Sequence, residues 1–268
     1  MSYPTAFWRD MSTRIFSRET TSDWIAVLPI AAIEQHGPHL PVGVDAVIAE
    51  EMVKRCVQAR PDSSKTVFLP LQEICKSNEH IAFPGTLTLD WDVAVRAWIQ
   101  IGQSVARAGV KKLVIITSHG GNVPPMEIAA RELRQTNGMA VVTTSWGRLG
   151  RGSQIYDRGE GPMVDIHGGL GETSLMLALR PDLVDMTYAE DFQSSQTALR
   201  QGSVKLGYHM ADANMAWLSH DLNPKGTVGN ASAGSADLGA QDVFSQVEGF
   251  WSLMSDLERV TAPDDSYS

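Results

Sequence analysis

The chain has 268 residues, 43% of them hydrophobic and 20% charged, an ordinary globular composition with enough length to bury a full core. Its 22 Lys+Arg against 31 Asp+Glu give a net charge of −9 with no cationic block, which argues against a nucleic-acid partner, because phosphate contacts need positive charge. The longest apolar run, 24–33, contains Pro29 and is too short for a bilayer, so no membrane partner is expected. No signal-peptide stretch opens the sequence, and Cys56 and Cys75 lack CxxC spacing, so a reducing cytoplasm is the expected location.

Residues 24–34 read as a buried strand ending on an acid. Val47, Ile48, Met52, Val53 and Cys56 have helical spacing and predict a helix over 45–60. A short strand follows at 66–71. A helix then runs to about Ala108, with Asp90 at its N-cap and Gly109 as its stop. The clearest strand, 111–117, runs into the turn Ser118-His119-Gly120-Gly121-Asn122. Pro124 and Pro125 suit the first turn of a helix reaching about Gln135. Another strand covers 140–146, a helix covers 172–179 ahead of Pro181, and a C-terminal helix covers 236–257. Between them, 193–234 is polar, rich in Gly and Ser, and long for a loop, as lids and oligomer contacts are. Alternating strands and helices predict a mostly parallel sheet covered on both faces, and no linker divides 1–268 into two domains.

Ligands of open α/β sheets sit beyond the carboxyl ends of the strands. Three expected strands end on polar or aromatic groups: Glu34 and His36, then His119, then Trp146. Glu34 and His36 are two apart, so an extended chain puts them on one side, and Asp45 at the next helix start folds back over them. Two carboxylates and an imidazole suit a borderline divalent ion; alternatively Asp45 is a cap and Glu34 a surface acid. Gly120 and Gly121 let backbone approach a ligand beside His119. In the third segment, Asp165 to Ser174, His167 and Glu172 flank a glycine turn, although Glu172 also fits a plain first-turn acid. Glu34, Asp45 and Glu172 together would carry about −3, a charge that a poorly solvated cleft does not hold uncompensated. Two divalent ions and one hydroxide bring that sum to about zero.

Taken together, LPIAAIEQHGPHLPVGVDAVIAEEM (28–52), EHIAFPGTLTL (79–89), TSHGGN (117–122) and HGGLGETSLMLALRPDLV (167–184) resemble the creatininase (creatinine amidohydrolase) family. GTVGNASAGSADLG (226–239) is a weaker match, and the resemblance covers about 24–250. It implies a single three-layer α/β/α domain and an amidohydrolase that cleaves a cyclic or linear amide C–N bond of a small molecule. It also implies two divalent ions per subunit (Zn²⁺, Mn²⁺ or Fe²⁺) that activate water, and a homo-oligomer, often a hexamer. By position Glu34, His36, Asp45 and His119 fall on ligands, with Asp45 bridging, and His167 falls on the active-site histidine. Glu172 is expected to complete the second metal and is otherwise a candidate base. His80, Gly120, Gly121 and Trp146 are expected to line the substrate pocket.

The sequence also departs from the pattern. Creatininase carries Tyr and Glu where this chain has Gly120 and Gly121, and Trp-Asp where it has Met163 and Val164. Creatinine itself is therefore a poor expectation. A formamide or small-peptide hydrolase on the same scaffold is the alternative, and a non-catalytic small-molecule-binding protein the further one. A nucleotide-binding module lacks its GxGxxG, since 34–43 reads EQHGPHLPVG. His39 is expected to support a ligand from behind, and His209 and His220 to be structural or surface residues.

Overall fold

The computed structural model describes residues 5–150, 152, 165–209 and 211–263. Met163 and Val164 lie outside them. Four strands form the central sheet: β1 (Ile25–Ile30), β2 (Thr66–Phe68), β3 (Lys112–Thr117) and β4 (Ala140–Ser145). Their order is β2-β1-β3-β4 and every pairing is parallel. β1 runs level with β3, from Ile25↔Lys112 to Ile30↔Thr117, and β3 runs level with β4. This register brings the residues after Ile30 and after Thr117 out at one edge.

Side-chain alternation divides the sheet between two cores. Ile25, Val27, Val114 and Ile116 face one side, under α1 (Val44–Gln58), α4 (Leu170–Leu179) and α6 (Ala236–Arg259), where they meet Met52, Met176 and Phe250. Ala26, Leu28, Ile30, Leu113 and Ile115 face the other, under α2 (Trp91–Arg107) and α3 (Val123–Asn137), where they meet Trp98 and Leu133. Each buried Leu or Ile contributes about 1.5–3 kcal/mol through lost water contact, so the helices are held by the sheet more than by local preference. At Gly102 an added Cβ would overlap Leu133, which explains the bare backbone where α2 and α3 cross. The result is the expected three-layer α/β/α arrangement.

Several boundaries differ from the sequence reading. β1 ends at Ile30 rather than Glu34, and β2 ends at Phe68 rather than Leu71. Asp90 does occupy the N-cap of α2, but its side chain makes no capping hydrogen bond. Gly109 stops that helix with φ +95°. The first turn of α3 tolerates Pro124 and Pro125 because its N–H groups have no partner in the helix.

Residues 193–234 are not one structureless loop. They hold α5 (Ser195–Gln201), a parallel two-residue pair (Leu206–Gly207 with Ala213–Asn214) and a helical turn (Ser219–Leu222). At their end Gly229–Asn230 pairs antiparallel with Asp191–Phe192. At the other end of β3 from the turn, the buried Lys112 donates from Nζ to the carbonyl oxygens of Leu257 (2.6 Å) and Glu258 (3.3 Å), in the last turn of α6. Among the described residues no helix is long and apolar enough to cross a membrane.

Candidate metal centre

Just beyond β1 the Ala31 N–H donates to the Gln72 carbonyl (2.9 Å), and the chain then leaves the strand ladder. Ile33 bridges to Leu87, and the Glu34 N–H donates to the Val42 carbonyl (2.8 Å). Glu34 and His36 are thereby aimed across the strand end. The turn after β3 is stapled beside them. The Thr117 hydroxyl donates to the His119 carbonyl (2.9 Å), and Asn122 Nδ2 donates to the Ala31 carbonyl (2.8 Å). The Ser118 hydroxyl donates to the Asp45 carbonyl (2.7 Å), which fixes the first turn of α1 to the same spot. Asp45 is not the cap of that helix: Gly43 is, and the Asp45 side chain turns inward.

Glu34 sits at the centre. Its Oε2 accepts from the Ser77 hydroxyl (2.5 Å). Its Oε1 faces four imidazoles: His119 Nδ1 at 3.2 Å, His80 Nε2 at 3.5 Å, His167 Nδ1 at 3.6 Å and His36 Nε2 at 4.0 Å. Asp45 Oδ2 lies 3.8 Å from both His36 Nε2 and His119 Nδ1, and Glu172 Oε2 lies 3.6 Å from His36 Nε2. Glu172 is aimed by the Gly168 N–H, which donates to its Oε2 (2.6 Å) from a backbone at φ +66°. Three overlapping groups of potential ligand atoms follow among the described residues: Glu34, Asp45 and His119; His36, His167 and Glu172; and Glu34, His80 and His167.

Hydrogen bonds to the backbone set the tautomers. His36 Nδ1 lies 3.0 Å from the Glu34 carbonyl, so it carries the proton and Nε2 keeps its lone pair. His167 Nε2 lies 2.6 Å from the Gln35 carbonyl, which leaves Nδ1 bare. The Gln35 amide donates to the Gly226 carbonyl (2.6 Å) and to His80 Nδ1 (2.8 Å).

Glu34 Oε1, His36 Nε2, both carboxylate oxygens of Asp45 and His119 Nε2 are buried with no hydrogen-bond partner. Such orphaned polar atoms are costly unless something else is bound there. Burial pushes Asp45 well above the usual carboxylate range, with the Glu34 charge adding to it, and burial also raises Glu172. Glu34 is held well below that range, since the surrounding imidazoles, His119 first, outweigh its burial. Burial pushes His36 and His167 down to about 4 and His80 to about 2. Three acids and bare imidazole nitrogens that cannot satisfy one another are a donor set fitted to divalent cations.

A pocket of about 220 Å³ opens onto this cluster, and Gly120, Gly121, His80, His119, His167 and Glu172 line it. Its outer wall contains Lys76, Glu79, His209 and Trp217. Trp146 is elsewhere. It opens a helical turn after β4, is buried in the core and packs its ring 5.8 Å from Phe250. The aromatic at the mouth is Trp217, edge-on to His80 at 6.3 Å. His209, expected to be structural or surface, is in the pocket wall, whereas His220 is exposed beside Asp221. His39 Nε2 bonds Thr173 Oγ1 (2.9 Å), the residue after Glu172. Glu79 was not singled out from the sequence. Its Oε1 lies 3.4 Å from His119 Nε2 and its Oε2 lies 2.5 Å from Lys76 Nζ. Burial alone would raise this carboxyl, but His119 and Lys76 hold it at about 2.

The sequence profile of the creatininase family, described as creatinine amidohydrolase, matches residues 9–254. The chain belongs to the creatininase family. It is 32% identical over 198 residues to the creatinine amidohydrolase of Pseudomonas putida, covering 69% of this chain and 74% of that one. It is 31% identical over 175 residues to the mycofactocin precursor peptide peptidase of Mycobacterium ulcerans, covering 63% and 64%. A crystal structure of creatinine amidohydrolase superposes with a TM-score of 0.73, covering 97% of this chain and 100% of that one at 24% identity, a likeness of fold.

Proposed function

We propose that residues 1–268 form one metal-dependent amidohydrolase domain that cleaves the C–N bond of a small amide. Glu34, Asp45 and His119 would hold one divalent ion, and His36, Asp45 and Glu172 a second, with Asp45 shared. The observation that carries this reading is the set of buried, partnerless carboxylate and imidazole atoms of Glu34, His36, Asp45 and His119, brought together from three separate stretches of chain. Divalent ions bound there supply Lewis acidity toward the amide carbonyl and bring the pKa of water toward neutral.

The chain's own groups do the rest. His167, with its Nε2–H anchored on the Gln35 carbonyl, takes and returns a proton at Nδ1, a transfer suited to an imidazole that is neutral at working pH. Gly120 and Gly121 line the pocket, and their backbone N–H groups would be the donors to the amide oxygen, each such donor being worth about 3 kcal/mol. His80 keeps Nε2–H toward Glu34 and so helps hold that carboxylate ionised. Trp217 and His209 close the outer wall and exclude water from the reacting amide.

A short linear amide or peptide end is favoured over creatinine. A Cβ added at Gly120 would meet nothing within 4 Å, so the space beside His119 is open.

The test is a chelated preparation assayed on a panel of cyclic amides, formamides and short peptides, then reloaded with Mn²⁺ or Zn²⁺. Activity is expected to vanish and return, with two ions per chain by elemental analysis and one in Glu172→Gln. Full turnover without metal overturns the reading. His167→Ala is expected to keep both ions and lose about 10²–10⁴ in kcat; loss of an ion instead makes His167 a ligand.

A further inference from the structure

His119 presents its Nδ1 to Glu34 and Asp45, and its other nitrogen faces away from them. That Nε2 is buried and without a hydrogen-bond partner, and the carboxylate oxygen facing it is Glu79 Oε1 at 3.4 Å. The other Glu79 oxygen is held by Lys76 Nζ. The two groups meet across Gly121, where an added Cβ would overlap both Glu79 Oε1 and His119 Nε2. Gly121 has no positive φ, so backbone conformation does not demand glycine there. What demands it is the space the carboxylate occupies.

From this geometry we infer that Glu79 is a positioning residue for His119: it receives the Nε2–H, fixes the ring's orientation and leaves Nδ1 as the atom turned toward Glu34 and Asp45. Closing 3.4 Å to an ordinary hydrogen-bond length takes a movement of about half an ångström. A carboxylate behind a ligating imidazole raises its basicity and locks its tautomer. A chain that places glycine after the strand-end histidine and its neighbour thus supplies a carboxylate beside that histidine from a different loop, 79 instead of 121. The inference rests on His119 being a ligand, as proposed above.

The experiment compares the parent with Glu79→Ala, Glu79→Gln and Gly121→Ala. Each metal-free protein is titrated with Zn²⁺ by calorimetry, and the His119 Nε2–H proton is followed by ¹⁵N-resolved NMR with and without zinc. Glu79→Ala is expected to weaken one of the two ions by about 10- to 100-fold, spare the other and erase the protected Nε2–H signal. Glu79→Gln keeps an acceptor oxygen and is expected to retain the signal. Gly121→Ala removes no functional group, yet is expected to behave like Glu79→Ala because its methyl enters the contact. Equal weakening of both ions, or unchanged titration with an unchanged Nε2–H signal in Glu79→Ala and Gly121→Ala, overturns the assignment. If the parent binds no zinc, the metal-centre reading falls, while the Nε2–H signal of the metal-free proteins still decides whether Glu79 holds His119.

Discussion

Glu34, Asp45 and His119 stand at the ends of β1, at the start of α1 and after β3, each tied by backbone-directed hydrogen bonds to a sheet whose two central strands are wholly buried. His209 and Trp217 face the same pocket from a segment of short pieces, in which the longest element, α5, has seven residues. There a single buried side chain does much of the tethering: Gln196 Oε1 accepts from the N–H groups of both Tyr208 (2.9 Å) and His209 (2.7 Å). The contrast separates two tasks. Groups that must stay close against mutual repulsion are mounted on the part of the molecule least able to give way, and groups that only shape the pocket are mounted where sequence can change cheaply.

The sharpest way to break that contrast is Asp45→Asn. It should cost on the order of 10³-fold or more in kcat/KM if Asp45 is the shared ligand proposed above, because several kcal/mol of charge stabilisation would go with it. The same variant should raise the melting temperature of the metal-free protein, since it removes a buried carboxylate whose oxygens have no partner. A parallel fall in activity and in metal-free stability would mean that Asp45 is structural. Trp217→Ala should act at the other region, shifting preference among amide substrates by roughly 10-fold with unchanged ion content. A lost ion would show that the outer wall is not separate from the inner cluster.

The smallest effect is on pH. In the metal-free protein His36, His39 and His167 are held at about 4 and His80 at about 2, each lowered by burial from 6.5. Between those values and 6.5 the unfolded chain binds protons that the folded chain refuses, so stability is full above 6.5 and is lost as pH falls. His119 is raised above 6.5 by Glu34 despite its burial, and acts oppositely, adding stability that is lost as pH rises through its folded value. Asp45 and Glu172, raised by burial, act in the same sense as His119, so four lowered imidazoles stand against three raised groups and predict only a small drop in the chelated protein's melting temperature from pH 7 to pH 5; a rising profile would show that the raised groups dominate.

The inner cluster was legible because its residues lie in short local patterns at strand ends, where an α/β sheet exposes its chemistry. Glu34 and His36 keep their alternate spacing even though β1 stops at Ile30. Trp146 misled for a related reason: its strand-end position was read correctly, but nothing local says that the next turn folds it toward Phe250. Trp217 carried no signal at all, because pieces of two to four residues have no periodicity to read. Glu79 was visible within EHIAFPGT, but its meaning depends on a glycine forty-two positions away, and only the fold joins them.

The ammonium of Lys112 gives the far end of β3 a lasting dependence on the chain's last helix. Trimming the protein before Leu257 would strip a cation in the interior of its acceptors, and the strand that delivers His119 would lose its anchor at the opposite edge. A shortened tail should therefore be felt at the candidate metal centre, the full length of a strand away.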